Sequence, residues 1–125
     1  MMGKQEKSPI EENLREYMGA QMMSFHTPGH KKGRGVHTLL RKYITDTGLA
    51  PDVSVMDALD DLHRPAGSIK EAQELAAEAY GADAAFFQVN GCTGAIHAMI
   101  MGALSPGDKV FVQRNMHRSV MAALI

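Results

Sequence analysis

The residues best suited to chemistry lie between Ala84 and Ala95, which read Ala-Ala-Phe-Phe-Gln-Val-Asn-Gly-Cys-Thr-Gly-Ala. Asn90-Gly91 breaks regular structure. Thr93 to Leu104 then reads as a helix with Ile96, Met99, Ile100 and Leu104 on one face. A helix start leaves backbone N–H groups unpaired and carries partial positive charge. Gly91 and Gly94 admit an anion close to the backbone, and Thr93 adds a hydroxyl donor. The chemistry this suits is phosphate binding. An ordinary β–α turn with no ligand has the same spacing, and both readings stay open at this level. The two usual nucleotide fingerprints, Gly-x-Gly-x-x-Gly and the P-loop, are absent.

Three further stretches carry reactive side chains. His26-Thr27-Pro28-Gly29-His30-Lys31-Lys32-Gly33-Arg34-Gly35 is a loop, rich in His and Gly. His26 and His30 have the i, i+4 spacing of helical metal ligands, but Pro28-Gly29 opposes a helix, so no metal site is expected. The bases of this loop could meet a phosphate or carboxylate, or simply be solvated. Long loops of this composition tend to carry function. In Leu59-Asp60-Asp61-Leu62-His63-Arg64, the two aspartates beside His63 and Arg64 could be acid–base apparatus; a local ion-pairing turn is the expected reading. Finally, Arg114-Asn115-Met116-His117-Arg118-Ser119 places His117 just ahead of a short apolar helix, His117 to Ile125.

These groups need elements to hold them. Ala84 to Val89 and Lys109 to Gln113 read as two buried strands flanking the helix that starts near Thr93, which favours a right-handed parallel β-α-β unit. In such a sheet ligands bind at the carboxyl ends of the strands, so His117 and the Gly91–Gly94 turn are expected to face one crevice. Upstream, Ser8-Pro9-Ile10-Glu11 predicts a helix to about Met18, with Ser8 as N-cap and Glu11 closing a capping box. Its apolar face is Leu14, Tyr17 and Met18, expected to pack. Val36 to Ile44 predicts a short helix with Leu39, Leu40 and Tyr43 on its apolar side. Thr45 to Asp52 is expected to be irregular. Ser68 is expected to cap a helix to Tyr80 that ends at Gly81, with Ile69, Ala72, Leu75, Ala76 and Ala79 inward. Residues 1–7 are polar and expected to fray.

Composition narrows the class. The 125 residues are 45% hydrophobic and 22% charged, as in a globular protein of one domain. A net charge of −1 gives no attraction to nucleic acid or to an anionic membrane. One cysteine excludes an internal disulfide framework. No apolar run approaches the ~20 residues that span a bilayer, and the first residues lack a signal-peptide core. A cytoplasmic location is the expectation. The apolar ending Ala-Ala-Leu-Ile, with neither glycine nor basic residue behind it, reads as a piece of a longer protein.

Four stretches taken in order resemble a known family: Phe25 to Gly33, Leu59 to Gly67, the Asn90-Gly91 turn, and Arg114-Asn115-x-His117-Arg118-Ser119. Together they are similar to the N-terminal part of the pyridoxal-phosphate-dependent ornithine/lysine/arginine decarboxylases, and most to the short Gram-positive arginine decarboxylase type. The resemblance covers about residues 20–125. It implies an α/β fold, the truncated N-terminal portion of an aspartate-aminotransferase-like major domain. The segments would be an N-terminal helix (1–20), an active-site loop and linker (21–67), and the start of the cofactor domain (68–125). Gly91, Cys92, Thr93 and Gly94 would cradle the phosphate of pyridoxal 5′-phosphate. His117 would stack on its ring as the catalytic residue of this stretch. His26, His30 and Lys31 would lie near the substrate entrance, by a subunit contact of a homo-oligomer, with a basic amino acid as substrate.

Two departures stand out. Cys92 replaces the usual Ser or Thr and donates more weakly. The family's Schiff-base lysine, preceded by Ser-x-His, has no counterpart among the lysines here, so the chain alone is expected to be inactive. Another enzyme of the same fold, such as an aminotransferase or a lyase, and a small phosphate-binding module are the alternatives. A fourth, a Cys92 nucleophile served by His97 or His117, is the weakest.

Overall fold

The structure is a computed structural model that describes residues 3–20, 22–46 and 48–125. Met1 and Met2 of the expected polar tail, Gln21 of the expected linker, and Thr47 of the expected irregular stretch lie outside it. Among the described residues five α-helices are formed: α1 Pro9–Gly19, α2 Thr38–Asp46, α3 Ser68–Tyr80, α4 Gly91–Ala103 and α5 Arg118–Leu124. Short 3-10 turns occupy Lys4–Glu6 and Lys31–Gly33. The chain divides into two compact units, residues 1–85 and 86–125.

In the first unit α1 packs on α3, and α2 packs on the Lys31–Gly33 turn. Pro9 occupies the first turn of α1, where its missing N–H costs nothing. The Ser8 N–H is satisfied by the Glu12 carboxylate at 2.9 Å rather than by Glu11, which pairs with Arg15 one turn on. The core is small: Tyr17, Ile44, Leu75 and Ala77 are buried in it among the described residues, with Pro9 at the start of α1 buried as well. Gly81 closes α3 in the left-handed conformation (φ +64°), and the Ala82 N–H returns to the Ala77 carbonyl at 2.9 Å. Residues 3–7 are not frayed. Gln5 donates to the Leu75 carbonyl at 3.2 Å, Lys7 meets Glu71 at 2.8 Å, and Lys4 meets Glu78, so the N-terminal turn is tied along α3.

Two expectations for this unit need correction. On the apolar side of α2, Leu39, Leu40 and Tyr43 are exposed to solvent, and Ile44 is the residue that enters the core. Ser68 is the first helical residue of α3, not its cap; Gly67 stands at the cap position. The Ser68 hydroxyl instead accepts from the Asn13 amide at 3.0 Å, and Asn13 also donates to the Ala58 carbonyl. That pair of bonds locks α1 to the start of α3.

The second unit is α4 packed on α5. The C-terminal ends of both helices line one cleft of about 450 Å³, with Leu104, Val110 and Leu124 among its walls. The two expected strands form no ladder among the described residues: 84–88 and 109–113 are non-helical connections, with Phe86 78% and Phe111 100% exposed. A buried parallel strand requires a neighbour on its edge and cover on both faces; neither segment has these here. No helix among the described residues is long and apolar enough to cross a membrane.

Candidate functional site

The turn into α4 forms without the expected strand before it, and the helix starts at Gly91, two residues ahead of the expected Thr93. Asn90 is non-helical, Gly91 takes the left-handed conformation (φ +65°) that favours glycine, and α4 begins at once. Asn90 makes no side-chain cap. The N–H groups of Gly91, Cys92 and Thr93 have no protein acceptor among the described residues, and that of Gly94 reaches the Asn90 carbonyl only at 3.4 Å. Gly91, Cys92 and Thr93 are all exposed. At Gly94 a Cβ would come within 2.9 Å of the Asn90 Cβ, so no side chain fits without moving the turn. Three free donors at a positive helix end, with no side chain over them, suit a phosphate group.

His117 is the N-cap of α5. Its Nδ1 accepts the Ser119 N–H at 3.2 Å and lies 2.8 Å from the Ser119 hydroxyl. An N–H can only donate, so Nδ1 is the unprotonated nitrogen and the neutral ring carries its proton on Nε2. The ring is exposed, while Ser119 is buried and fixed. The geometry therefore holds the imidazole in one tautomer and leaves its Nε2–H edge free. The Gly91–Gly94 turn and His117 belong to one unit, each at the N-terminus of a helix, α4 and α5 respectively. His97, within α4, has a buried Nε2 without a partner and makes no bond to Cys92; Cys92 is exposed.

The His26–Gly35 loop belongs to the other unit and is organised by Tyr17 of α1. The His26 Nδ1 faces the Thr27 carbonyl at 2.7 Å, and a carbonyl only accepts, so Nδ1 carries the proton. Nε2 then accepts the Tyr17 hydroxyl at 2.6 Å, and the phenol oxygen lies 3.2 Å from the Ser24 hydroxyl. Lys32 closes the other side. Its ammonium donates to the Tyr17 carbonyl at 2.7 Å and sits 4.0 Å from the centre of the Tyr17 ring. Lys31 lies over Phe25, 5.4 Å from its centroid. Both ring nitrogens of His30 are shielded and without a partner. Tyr17 is 6% exposed and sets this whole loop. From sequence Tyr17 reads as a packing residue; its spacing from His26, nine residues on, follows no local rule.

Asp60 is the second anchor missed. It forms no ion pair with His63 or Arg64 among the described residues. Its carboxylate accepts from the backbone N–H groups of Asp61, Ala66, Gly67 and Ile69, each at 2.9 Å. Lys70 adds a longer contact of 3.4 Å. Partial desolvation pushes this carboxyl up, but the N–H donors outweigh it and hold the group well below the usual carboxylate range. Asp61 accepts the His63 N–H at 2.9 Å. The acid–base reading of this pair has no geometry behind it.

Comparison with known proteins now bears on these sites. Residues 8–125 match the family model described as Orn/Lys/Arg decarboxylase, major domain. An arginine decarboxylase of Halalkalibacterium halodurans is 48% identical over 124 residues, 99% of this chain and 25% of the relative. One of Bacillus subtilis is 46% identical over 121 residues, 97% of this chain and again 25% of the relative. A lysine decarboxylase of Pseudomonas aeruginosa is 31% identical over 123 residues, 94% of this chain and 16% of its own. The chain thus spans about a quarter of the length of the curated arginine decarboxylases it matches. No solved structure matches it. With the match covering nearly every residue from α1 to α5, this chain belongs to the Orn/Lys/Arg decarboxylase family.

Proposed function

We propose that this chain is the first part of a pyridoxal-phosphate-dependent decarboxylase that takes a basic amino acid, arginine foremost. The observation that carries the reading is the match over residues 8–125, with relatives of 46–48% identity named arginine decarboxylase. The open turn at the start of α4 supports it: the Gly91, Cys92 and Thr93 N–H groups are free to hold the cofactor phosphate. Pyridoxal phosphate, once bound, supplies the electron sink for loss of CO2 from an amino acid.

The chain's own residues do the rest. Gly91 and Gly94 keep side chains out of the phosphate position, and Thr93 adds a hydroxyl. His117, its ring held by Ser119, would stack on the cofactor ring and would have its Nε2–H free to donate. His26, His30 and Lys31, on the loop clamped by Tyr17, serve at the substrate entrance. The expected division, 1–20 as lead helix, 21–67 as loop and linker, and 68–125 as the start of an α/β cofactor domain, belongs to this reading. So do a homo-oligomeric assembly and a cytoplasmic location.

The test is CO2 release by the longest chain the gene encodes, supplied with pyridoxal phosphate and with arginine, lysine or ornithine in turn. Release from arginine above the other two is expected. Amino-group transfer without CO2 would replace the reading by an aminotransferase. The 125-residue chain, lacking a lysine in the Ser-x-His context, is expected to release none; borohydride reduction should label its surface lysines only substoichiometrically.

A further inference from the structure

We propose that residues 60–70 form a nest of backbone N–H groups filled by the chain's own Asp60 carboxylate, and that this filling sets where α3 begins. The support is geometric. Four N–H donors from Asp61, Ala66, Gly67 and Ile69 converge on two oxygens, all at 2.9 Å. Oδ1 takes Asp61 and Ala66, on either side of the 61–66 loop, and so ties its ends together. Oδ2 takes Gly67 and Ile69, and Lys70 at 3.4 Å, which are groups at the open end of α3.

The usual helix cap comes from the residue just outside the first turn. Here that residue is Gly67, which has no side chain to offer. Asp60 performs the cap from seven residues upstream and in doing so accepts a left-handed backbone (φ +73°), which Asp and Asn tolerate better than other side chains. The Cβ that Gly67 lacks would sit 3.5 Å from the Asp60 carboxyl, so the site is already filled to contact. Asn13 seals the arrangement from α1, through Ser68 and the Ala58 carbonyl. The nest thus fixes α3, the central packing surface of the first unit, to the loop before it and, through Asn13, to α1.

The experiment compares backbone amide exchange over residues 61–70 in the longest chain the gene encodes. Asp60→Asn keeps the side-chain shape and the left-handed backbone but brings an NH2 donor to face N–H donors. Exchange at Gly67 and Ile69 should rise by about tenfold or more, the scale of one charge-assisted hydrogen bond. Asp60→Gly keeps the backbone and empties the nest. Its exchange should rise likewise and fall back as sodium acetate is added, with sodium chloride at equal ionic strength as control. Wild-type exchange in Asp60→Asn would overturn the proposal. Equal effects of acetate and chloride on Asp60→Gly would overturn the carboxylate nest. Should Asp60→Gly fail to fold, the Asp60→Asn comparison decides alone.

Discussion

The first unit is cross-tied by side-chain bonds between distant stretches, and the second is held by local ones. Across residues 1–85, long-range bonds join elements far apart in sequence: Asn13 to Ser68, Gln5 to Leu75, Lys32 to Tyr17. Across residues 86–125, side-chain hydrogen bonds among the described residues reach no further than Ser105 to Asp108. Tyr17, Ile44, Leu75 and Ala77 are buried in the first unit, which also exposes Phe25, Leu39 and Tyr80; among the described residues of the second no large apolar side chain is buried, and Phe86, Val89, Met99 and Phe111 stand exposed. α4 carries no charged residue and has no buried one. A helix apolar on every side is a core element. The comparison teaches that the residues proposed to hold the cofactor sit in the part whose packing surfaces are open, while the residues proposed to meet the substrate sit in a part already fixed.

The largest test of this contrast is truncation on each side. Tyr17→Ala should cost ~3–5 kcal/mol of stability in a urea titration, as for other large buried rings. Tyr17→Phe should cost about 1 kcal/mol for the lost hydrogen bond. Phe111→Ala should be within about 0.5 kcal/mol of neutral in the 125-residue chain, as at exposed positions generally. In the longest chain the gene encodes it should approach the Tyr17→Ala value. Equal small effects of Phe111→Ala in both chains would remove the β-sheet part of the proposed fold.

Next in size are changes at His117, which has a cap role and a proposed ring role. Asn and Asp are good caps and Ala is not, the difference being roughly 1 kcal/mol. His117→Asn should keep α5 while lowering turnover on the order of a hundredfold, the scale of a misplaced reacting group. His117→Phe should recover cofactor affinity better than rate. If His117→Asn retains full turnover, the residue serves only to start α5.

Gly94→Ala should weaken cofactor binding by about tenfold, one charge-assisted bond's worth, because its Cβ must displace Asn90. Gly102→Ala, on the same helix with open space around it, is the control and should leave affinity unchanged. Cofactor titration followed by absorbance separates the two.

A smaller effect concerns acid. The Asp60 carboxyl is depressed in the folded protein, so it releases its proton more readily there than in the unfolded chain. Its contribution is therefore complete above the ordinary carboxylate value of about 4 and is lost as pH falls below it. The stability gap between wild type and Asp60→Asn should be flat from neutral pH to about pH 5 and close below about 4. Smallest of all, Cys92→Ser should change cofactor affinity by less than about threefold, in the direction of tighter binding, because a hydroxyl donates better than a thiol. Loss of turnover in Cys92→Ser with affinity intact would make Cys92 a nucleophile.

What was legible in the sequence was local. Pro9, Gly81 and the Asn90-Gly91 pair mark helix ends through their own backbone preferences, and α1, α3 and α4 begin or end within two residues of where these place them. Even His117 can be read as a helix-start residue because its partner, Ser119, is two positions away. The anchors were not legible. Asp60 reaches α3 across seven to ten residues, and Tyr17 reaches His26 across nine, through loop shapes that no propensity encodes. The two expected strands form no ladder among the described residues for a different reason: alternation and apolar runs report what a segment needs around it, not whether those surroundings are present.

Lys32 carries one more consequence, visible to a protease. A trypsin-like enzyme needs an extended backbone and a lysine head free to enter a pocket. Lys32 offers a left-handed backbone (φ +55°) and an ammonium held by the Tyr17 carbonyl and ring. The bond after Lys32 should therefore survive brief digestion that cuts elsewhere, so that its cleavage becomes a clock for the release of the loop from α1.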